Sequence, residues 1–261
     1  MPRSNRYILP DHAYHLTHRC HDRAWLLKAE SDRSAYRELL RRTLRRSGVS
    51  LLNYCITMNH VHLLAVARDE VGIPALMQRV QGQFAGDYNR RRRRSGAFWN
   101  NRYHCTMVES GRHLWNCATY IDLNMVRAGA VKHPREWRWC GYDELTGRRK
   151  RYRLLDRDAI AQYLGQGSLV AFGDDYEAAI ADALARRRLK REPYWTESLA
   201  VGGHDFVDEV ASHTDVRIRL EMEEGSDGVW TVREVSGTYG LEAQAFYADA
   251  LGPNVGPQNR F

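Results

Sequence analysis

Lysine is nearly missing from this basic chain. Of 39 basic residues among 261, only Lys28, Lys132, Lys150 and Lys190 are lysine, which leaves 35 arginines and a net charge of +7. A planar guanidinium grips phosphate at two points where an ammonium makes one, so the bias suits a polyanionic partner; a GC-rich genome would favour arginine codons in the same way. Cysteine is sparse as well. Cys20, Cys55, Cys105, Cys117 and Cys140 are odd in number, scattered and without a C-x-x-C pair, which argues against a disulfide framework and a zinc ribbon. No run approaches the roughly 18 apolar residues of a membrane span. The polar opening after Met1-Pro2-Arg3 has no signal-peptide core, and the chain reads as a soluble intracellular protein. Aromatics, in contrast, are plentiful. Seven Trp and fourteen Tyr could stack on unpaired bases while arginines neutralise a nucleic-acid backbone.

Along the chain, residues 11–19 alternate weakly and predict a strand, with His15, Thr17 and Arg19 on one face. The spacing of three in His12, His15, His18 and His21 does not suit a strand-borne metal site, and these read as surface or core polar residues. Ala35, Leu39, Leu40 and Leu44 recur at helical spacing between the cap candidates Ser31-Asp32 and the stop Ser47-Gly48. A second helix is predicted from about Ile73 to Asn89, entered through Pro74. It leads into Arg90, Arg91, Arg92, Arg93 and Arg94, and then into Phe98-Trp99-Asn100-Asn101-Arg102-Tyr103. A charge run is usually a solvated face; beside this aromatic and amide cluster it reads better as a phosphate-and-base surface. Tyr103–Val108 predicts another strand, and Gly111 to about Ala128 a helix stopped by Gly129.

Between the first two helices lies NYCITMNHVHLLAVA, Asn53 to Ala67. Two apolar, β-rich runs flank Met58-Asn59, a break short enough for a tight turn with Asn59 at positive φ. Alternation on the second strand puts His60, His62, Leu64 and Val66 on one face. Two imidazoles so placed are half of a divalent metal site, although an H-x-H alone is more often a pair of partly buried polar residues. On the Gly111–Ala128 helix, His113, Asn116, Tyr120, Asn124 and Arg127 form one polar stripe, while Leu114, Ala118, Ile121 and Met125 cluster elsewhere. Tyr120 and Asn124 stand one turn apart and could offer a nucleophile and a third ligand; by spacing alone an ordinary core tyrosine with a satisfied hydroxyl is the better fit. The order strand, helix, hairpin, helix, strand, helix predicts an α+β domain with an antiparallel sheet of split-βαβ, ferredoxin-like character.

Met58-Asn59-His60-Val61-His62-Leu63-Leu64 and Tyr120-Ile121-Asp122-Leu123-Asn124-Met125-Val126-Arg127-Ala128-Gly129, taken together, resemble the single-tyrosine HUH transposases, most closely the REP-associated tyrosine transposases. The resemblance covers residues of about 5–145. It implies an HUH-type fold, Mg²⁺ or Mn²⁺ held by His60, His62 and Asn124, and Tyr120 as a nucleophile that cleaves single-stranded DNA through a 5′-phosphotyrosine. Met125 stands where that family usually has proline, a change that could straighten the helix.

The resulting expectation is a metal-dependent nicking and strand-transfer enzyme for single-stranded or hairpin DNA, a monomer or homodimer, cytoplasmic and nucleoid-associated, with no membrane partner. Its nucleic-acid contacts would be Arg90 to Arg94, Trp99, Arg102 and Arg127. The alternative is a non-catalytic protein that binds structured nucleic acid and keeps a vestigial metal site; a phosphodiesterase using water ranks third. Residues 1–146 are expected to form the catalytic domain and 147–261 a C-terminal extension. In the extension, helices at Asp156–Leu164 and Asp174–Lys190 and a hairpin of Arg217–Met222 with Val229–Val235 are predicted, and Arg186, Arg187, Arg188 and Trp195 are candidate DNA contacts.

Overall fold

The computed structural model describes residues 8–164, 169–187, 189–214 and 219–235. Its first half runs β1 (Ala13–Arg19), α1 (Glu30–Leu44), β2 (Val49–Ile56), β3 (His60–Ala67), α2 (Gly72–Arg92) and β4 (His104–Val108). The strands lie side by side as β2-β3-β1-β4, each pair antiparallel. This is the split-βαβ sheet that the element order predicts.

Alternation then assigns the faces. Tyr14, Leu16 and His18 on β1 lie opposite Ala65, Leu63 and Val61 on β3. His18 stacks on Trp99 at 4.5 Å, and Trp99 in turn meets Tyr36 of α1 and Phe84 of α2, so this side is the one that α1 and α2 cover. On the other side Thr17 faces His62, and Arg19 faces His60. That polar side receives α3 (Arg112–Asp122), which is tied to β2 by a bond from Asn53 Nδ2 to the Ala118 carbonyl at 2.9 Å.

Beyond α3 come α4 (Asn124–Arg127), α5 (Tyr142–Leu145), α6 (Arg157–Tyr163), α7 (Leu169–Ala185), α8 (Tyr194–Glu197), β5 (Ala200–Gly202), α9 (His204–Ser212), β6 (Leu220–Glu224) and β7 (Trp230–Glu234). Strand β5 pairs in parallel with β4, Met107 beside Ala200, and β7 and β6 follow, which makes one seven-stranded sheet. The segment after residue 146 therefore continues the sheet of the first half. Its β6-β7 hairpin is the one the sequence predicts, although the Arg217 end of the first predicted strand, Arg188 and the tail from Gly237 lie outside the described residues.

Several local details differ from the sequence reading. The Met58-Asn59 turn places no residue at positive φ; instead the Thr57 hydroxyl accepts from the backbone N–H groups of Asn59 (3.3 Å) and His60 (3.1 Å), a side-chain turn that removes the need for it. Helix α1 has Ala29 at its N-cap with no side-chain bond, because Asp32 is drawn into the interior by Arg91 and Arg92. Helix α2 extends three residues beyond Asn89, so Arg90 to Arg92 form its last turn and Arg93 takes the left-handed cap conformation. The helix carrying Tyr120 is interrupted at Leu123, where ψ is 0, although Met125 is not a proline. Gly129, at φ 68, closes its end as predicted.

Candidate active site

Five elements bring the site together. Strand β3 supplies His60 and His62, β1 supplies His15, α3 and α4 supply Tyr120, Asn124 and Arg127, and α8 supplies Trp195. The His60 and His62 rings meet edge to face with centroids 4.8 Å apart, and His15 stacks on His62 at 5.0 Å. The Tyr120 ring lies 6.3 Å from both His62 and His15 and 6.1 Å from Trp195. Asn124 Nδ2 donates to His62 Nε2 at 2.9 Å. The structure thus gathers the predicted nucleophile, histidine pair and third ligand into one cluster.

Burial sets the charge state here. It holds the His60 imidazole down to about 3 and His62 well below its ordinary value; Arg19 and Arg127 press on both in the same direction. Neutral imidazole is the form that binds a metal. His60 donates its Nδ1–H to Asn59 Oδ1 at 2.7 Å, with the Thr57 hydroxyl 2.9 Å away, which leaves Nε2 with the lone pair. Tyr120, only 7 % exposed, has its phenol pushed up by burial, and the Arg127 guanidinium pulls it back. That guanidinium lies 3.9 Å from the Tyr120 ring centroid and donates to the Tyr120 carbonyl at 2.7 Å.

The donor set fits a divalent cation. Two neutral imidazoles on one strand and an amide from a facing helix make three ligands, and an amide turned by half a rotation presents Oδ1 where Nδ2 now sits. No three His, Cys, Asp or Glu side chains converge as a metal site among the described residues; the polar group that faces His62 from the helix side is the Asn124 amide. The two reactive parts open differently. His60, His62, Arg19, Arg102 and Arg191 line a cleft of about 590 Å³, whereas Tyr120, Arg127, Asn116 and Lys190 line a neighbouring one of about 430 Å³. The stretch from Lys190 to Glu197 runs between them, with Tyr194 on the tyrosine side and Thr196 on the histidine side.

The arginine surface is less free than its sequence suggests. Arg91 and Arg92 hold the buried Asp32 carboxylate at 3.0 and 2.7 Å, and Arg94 binds Asn89 Oδ1 and the Ala97 carbonyl. Among the described residues Arg90 pairs only with the half-buried Asp87, and Arg93 is exposed. Trp99 is not an open stacking ring; it packs against His18, Phe84 and Phe98 and donates to the Gln81 carbonyl. Trp195, a candidate DNA contact by sequence, is 1 % exposed and belongs to the core.

His15 is the residue that sequence reasoning passed over. Its signal was present on β1, where it shares a face with Thr17 and Arg19, the partners of His62 and His60 across the sheet. Arg191 and Trp195 carried no such signal, since they reach the site from far along the chain, Trp195 lying 180 residues beyond His15.

Residues 9–124 match the model of a protein family described as "Transposase IS200 like". Among curated proteins no sequence matches. A solved structure of a REP-associated tyrosine transposase bound to a REP hairpin is similar at a TM-score of 0.50 and 16 % identity, over 57 % of this chain and 87 % of that one. A second, a transposase-like protein from Deinococcus radiodurans, reaches a TM-score of 0.32 at 21 % identity, over 40 % and 84 %. The family match begins just ahead of β1 and ends on Asn124, spanning both histidines and the tyrosine. Residues 9–124 are therefore similar to the IS200-like transposases.

Proposed function

We propose that this protein nicks and rejoins single-stranded DNA through a covalent link to Tyr120, with a divalent metal, Mg²⁺ or Mn²⁺, held by His60, His62 and Asn124, and that its substrate is hairpin-forming repeat DNA. The observation that carries the reading is the meeting of Tyr120, His62 and Asn124: a phenol ring centred 6.3 Å from an imidazole whose Nε2 already faces the Asn124 amide at 2.9 Å. The similar structure bound to a REP hairpin supports the substrate class.

In the reaction the Tyr120 oxygen attacks a backbone phosphorus. A bond forms from that oxygen to phosphorus, the bond from phosphorus to the 3′-oxygen of the preceding nucleotide breaks, and the phenol proton ends on that 3′-oxygen. The products are a 5′-phosphotyrosine and a free 3′-OH; attack by a different 3′-OH reverses the step and joins a new end. When bound, the metal would polarise the non-bridging phosphate oxygens and offset the charge that builds up in the transition state. Arg127 acts on both reactants: its guanidinium lowers the cost of ionising the phenol and stands ready to pair with the incoming phosphate. Arg102 and Arg191, on the wall of the histidine cleft, are placed to hold the strand on either side.

The test is a nicking assay with labelled hairpin oligonucleotides in Mn²⁺ and in EDTA. Cleavage in Mn²⁺ that stops in EDTA, with binding retained in both, supports the enzyme. Binding without cleavage under either condition would favour the non-catalytic alternative, and cleavage that leaves no label on the protein would favour water as nucleophile.

A further inference from the structure

One residue outside the proposed ligand set has its hydrogen bonds aimed at it. His15 lies wholly buried in the middle of the sheet, on β1. Its Nδ1 is 2.8 Å from the Trp195 backbone carbonyl, and its Nε2 is 2.8 Å from His62 Nδ1. A carbonyl can only accept, so His15 carries its proton on Nδ1. The Asn124 amide nitrogen faces His62 Nε2 at 2.9 Å, so this ring nitrogen accepts, and His15 Nε2, 2.8 Å from His62 Nδ1, is the bare acceptor of the pair. The partner across that 2.8 Å gap must then donate, which places the His62 proton on Nδ1 and the lone pair on His62 Nε2. That is the nitrogen to which the Asn124 amide points at 2.9 Å.

We propose that His15 is a positioning residue that reads the polarity of the Trp195 carbonyl and passes it to His62, locking His62 in the one tautomer and ring orientation able to bind a metal through Nε2. This rests on the proposed metal site and deepens it. The consequence for the architecture is that α8, which lies outside residues 9–124, governs a ligand inside them. The arrangement is held from both ends: Thr106 on β4 also donates to the Trp195 carbonyl, at 3.2 Å, and to the Ser198 carbonyl at 2.8 Å, which fixes α8 over the sheet. The stacking of His15 on His62, with planes 17° apart, leaves little freedom for either ring to turn. A metal-bound histidine commonly has its other nitrogen fixed by a carboxylate or carbonyl; here a second imidazole is inserted between carbonyl and ligand, and it preserves the direction of the bonds.

The experiment is long-range ¹H–¹⁵N NMR of the metal-free full chain with labelled histidine, together with calorimetric Mn²⁺ titration. The wild type should show His62 protonated on Nδ1 and bare at Nε2. Replacing His15 with Phe keeps a ring but removes both bonds, so the Nε2–H tautomer of His62 should appear and Mn²⁺ affinity should fall about 10- to 100-fold. His15→Gln, whose amide can donate to Trp195 and accept from His62, should restore most of both. An Nε2–H signal for His62 in the wild type would overturn the proposal whatever the variants do, so it stays testable even where His15→Phe fails to fold. Unchanged tautomer and unchanged Mn²⁺ affinity in His15→Phe would also overturn it, and would leave the metal site standing if His62→Ala still abolishes binding. No Mn²⁺ binding by the wild type, with the tautomer as assigned, would instead remove the metal reading and leave the His15 relay intact as a structural device.

Discussion

Neutralising the arginine run should weaken DNA binding far less than five consecutive charges suggest. For single-stranded DNA the slope of log K against log salt changes by about 0.7 for each phosphate that the protein no longer neutralises. Five independent phosphate pairings would therefore account for about 3.5, and two for about 1.4. The structure commits three of the five arginines elsewhere: Arg91 and Arg92 hold Asp32, whose side chain is 1 % exposed, and Arg94 closes the loop after α2 through Asn89 and Ala97. Arg90 and Arg93 remain for phosphate, since the partly exposed Arg90–Asp87 pair is worth little. Arg90→Ala/Arg93→Ala should then lower the slope by about 1.4 with an unchanged melting temperature. Arg91→Ala/Arg92→Ala should change the slope little and lower the melting temperature, because it strands a buried carboxylate between α1 and α2. Fluorescence-anisotropy titrations of a single-stranded oligonucleotide across a series of salt concentrations, with thermal melts of each variant, provide both quantities. A slope change of about 3.5 on neutralising all five, with the melt unaffected, would show that the Asp32 pairs do not hold these side chains and would refute the reasoning.

Other consequences follow from single contacts. Gly141 lies so close to Asn53 that an added Cβ would sit 2.0 Å from its Oδ1; Gly141→Ala should cost about 1–3 kcal/mol, measured by urea unfolding, and should disturb the Asn53 bond that seats α3. His60→Ala and His62→Ala should each remove the Mn²⁺ site in calorimetry while circular dichroism and DNA binding stay as in wild type; unchanged affinity in either would strike that residue from the ligand list. The metal-free protein should also lose stability in acid. His15 and His60 are held to about 3 in the fold, below the ordinary 6.5, so between those values the unfolded chain binds more protons. Their contribution is present above about pH 6.5 and is lost as pH falls towards 3. Urea midpoints should therefore drop between about pH 7 and pH 5, and a flat profile would mean that these imidazoles are reached by water.

The parts of the site that the sequence made legible are those governed by short periods. Alternation on one strand put His60 and His62 on a common face, and the helical repeat put Tyr120, Asn124 and Arg127 on a common stripe; both depend only on backbone geometry within one element. The sheet order was legible for a similar reason, since a hairpin flanked by two strand-helix units has few ways to close. Contacts between distant elements were not legible. The Asp32 bonds to Arg91 and Arg92 turned a predicted helix cap into a buried anchor and part of a predicted DNA surface into structure. Trp99 looked like a stacking ring because aromatics near arginines often are, yet its neighbours His18 and Phe84 come from other elements and leave it only partly exposed. His15 was set aside on its spacing with His12, His18 and His21, when what mattered was its register against β3 and the arrival of the Trp195 carbonyl.

The central claim is that Tyr120 forms the covalent link, and one measurement tests it most directly. Full-length protein is incubated with Mn²⁺ and an oligonucleotide carrying a label on the 3′ side of the cleavage position, denatured, digested with protease and mapped by mass spectrometry, beside Tyr120→Phe. The ring packing against His62 and Trp195 survives that substitution and only the hydroxyl is removed. The account predicts a labelled peptide modified at Tyr120 in the wild type, and in Tyr120→Phe normal DNA binding with neither adduct nor nick. A Tyr120→Phe protein that nicks at the wild-type rate, or a label mapped to another residue, would contradict it.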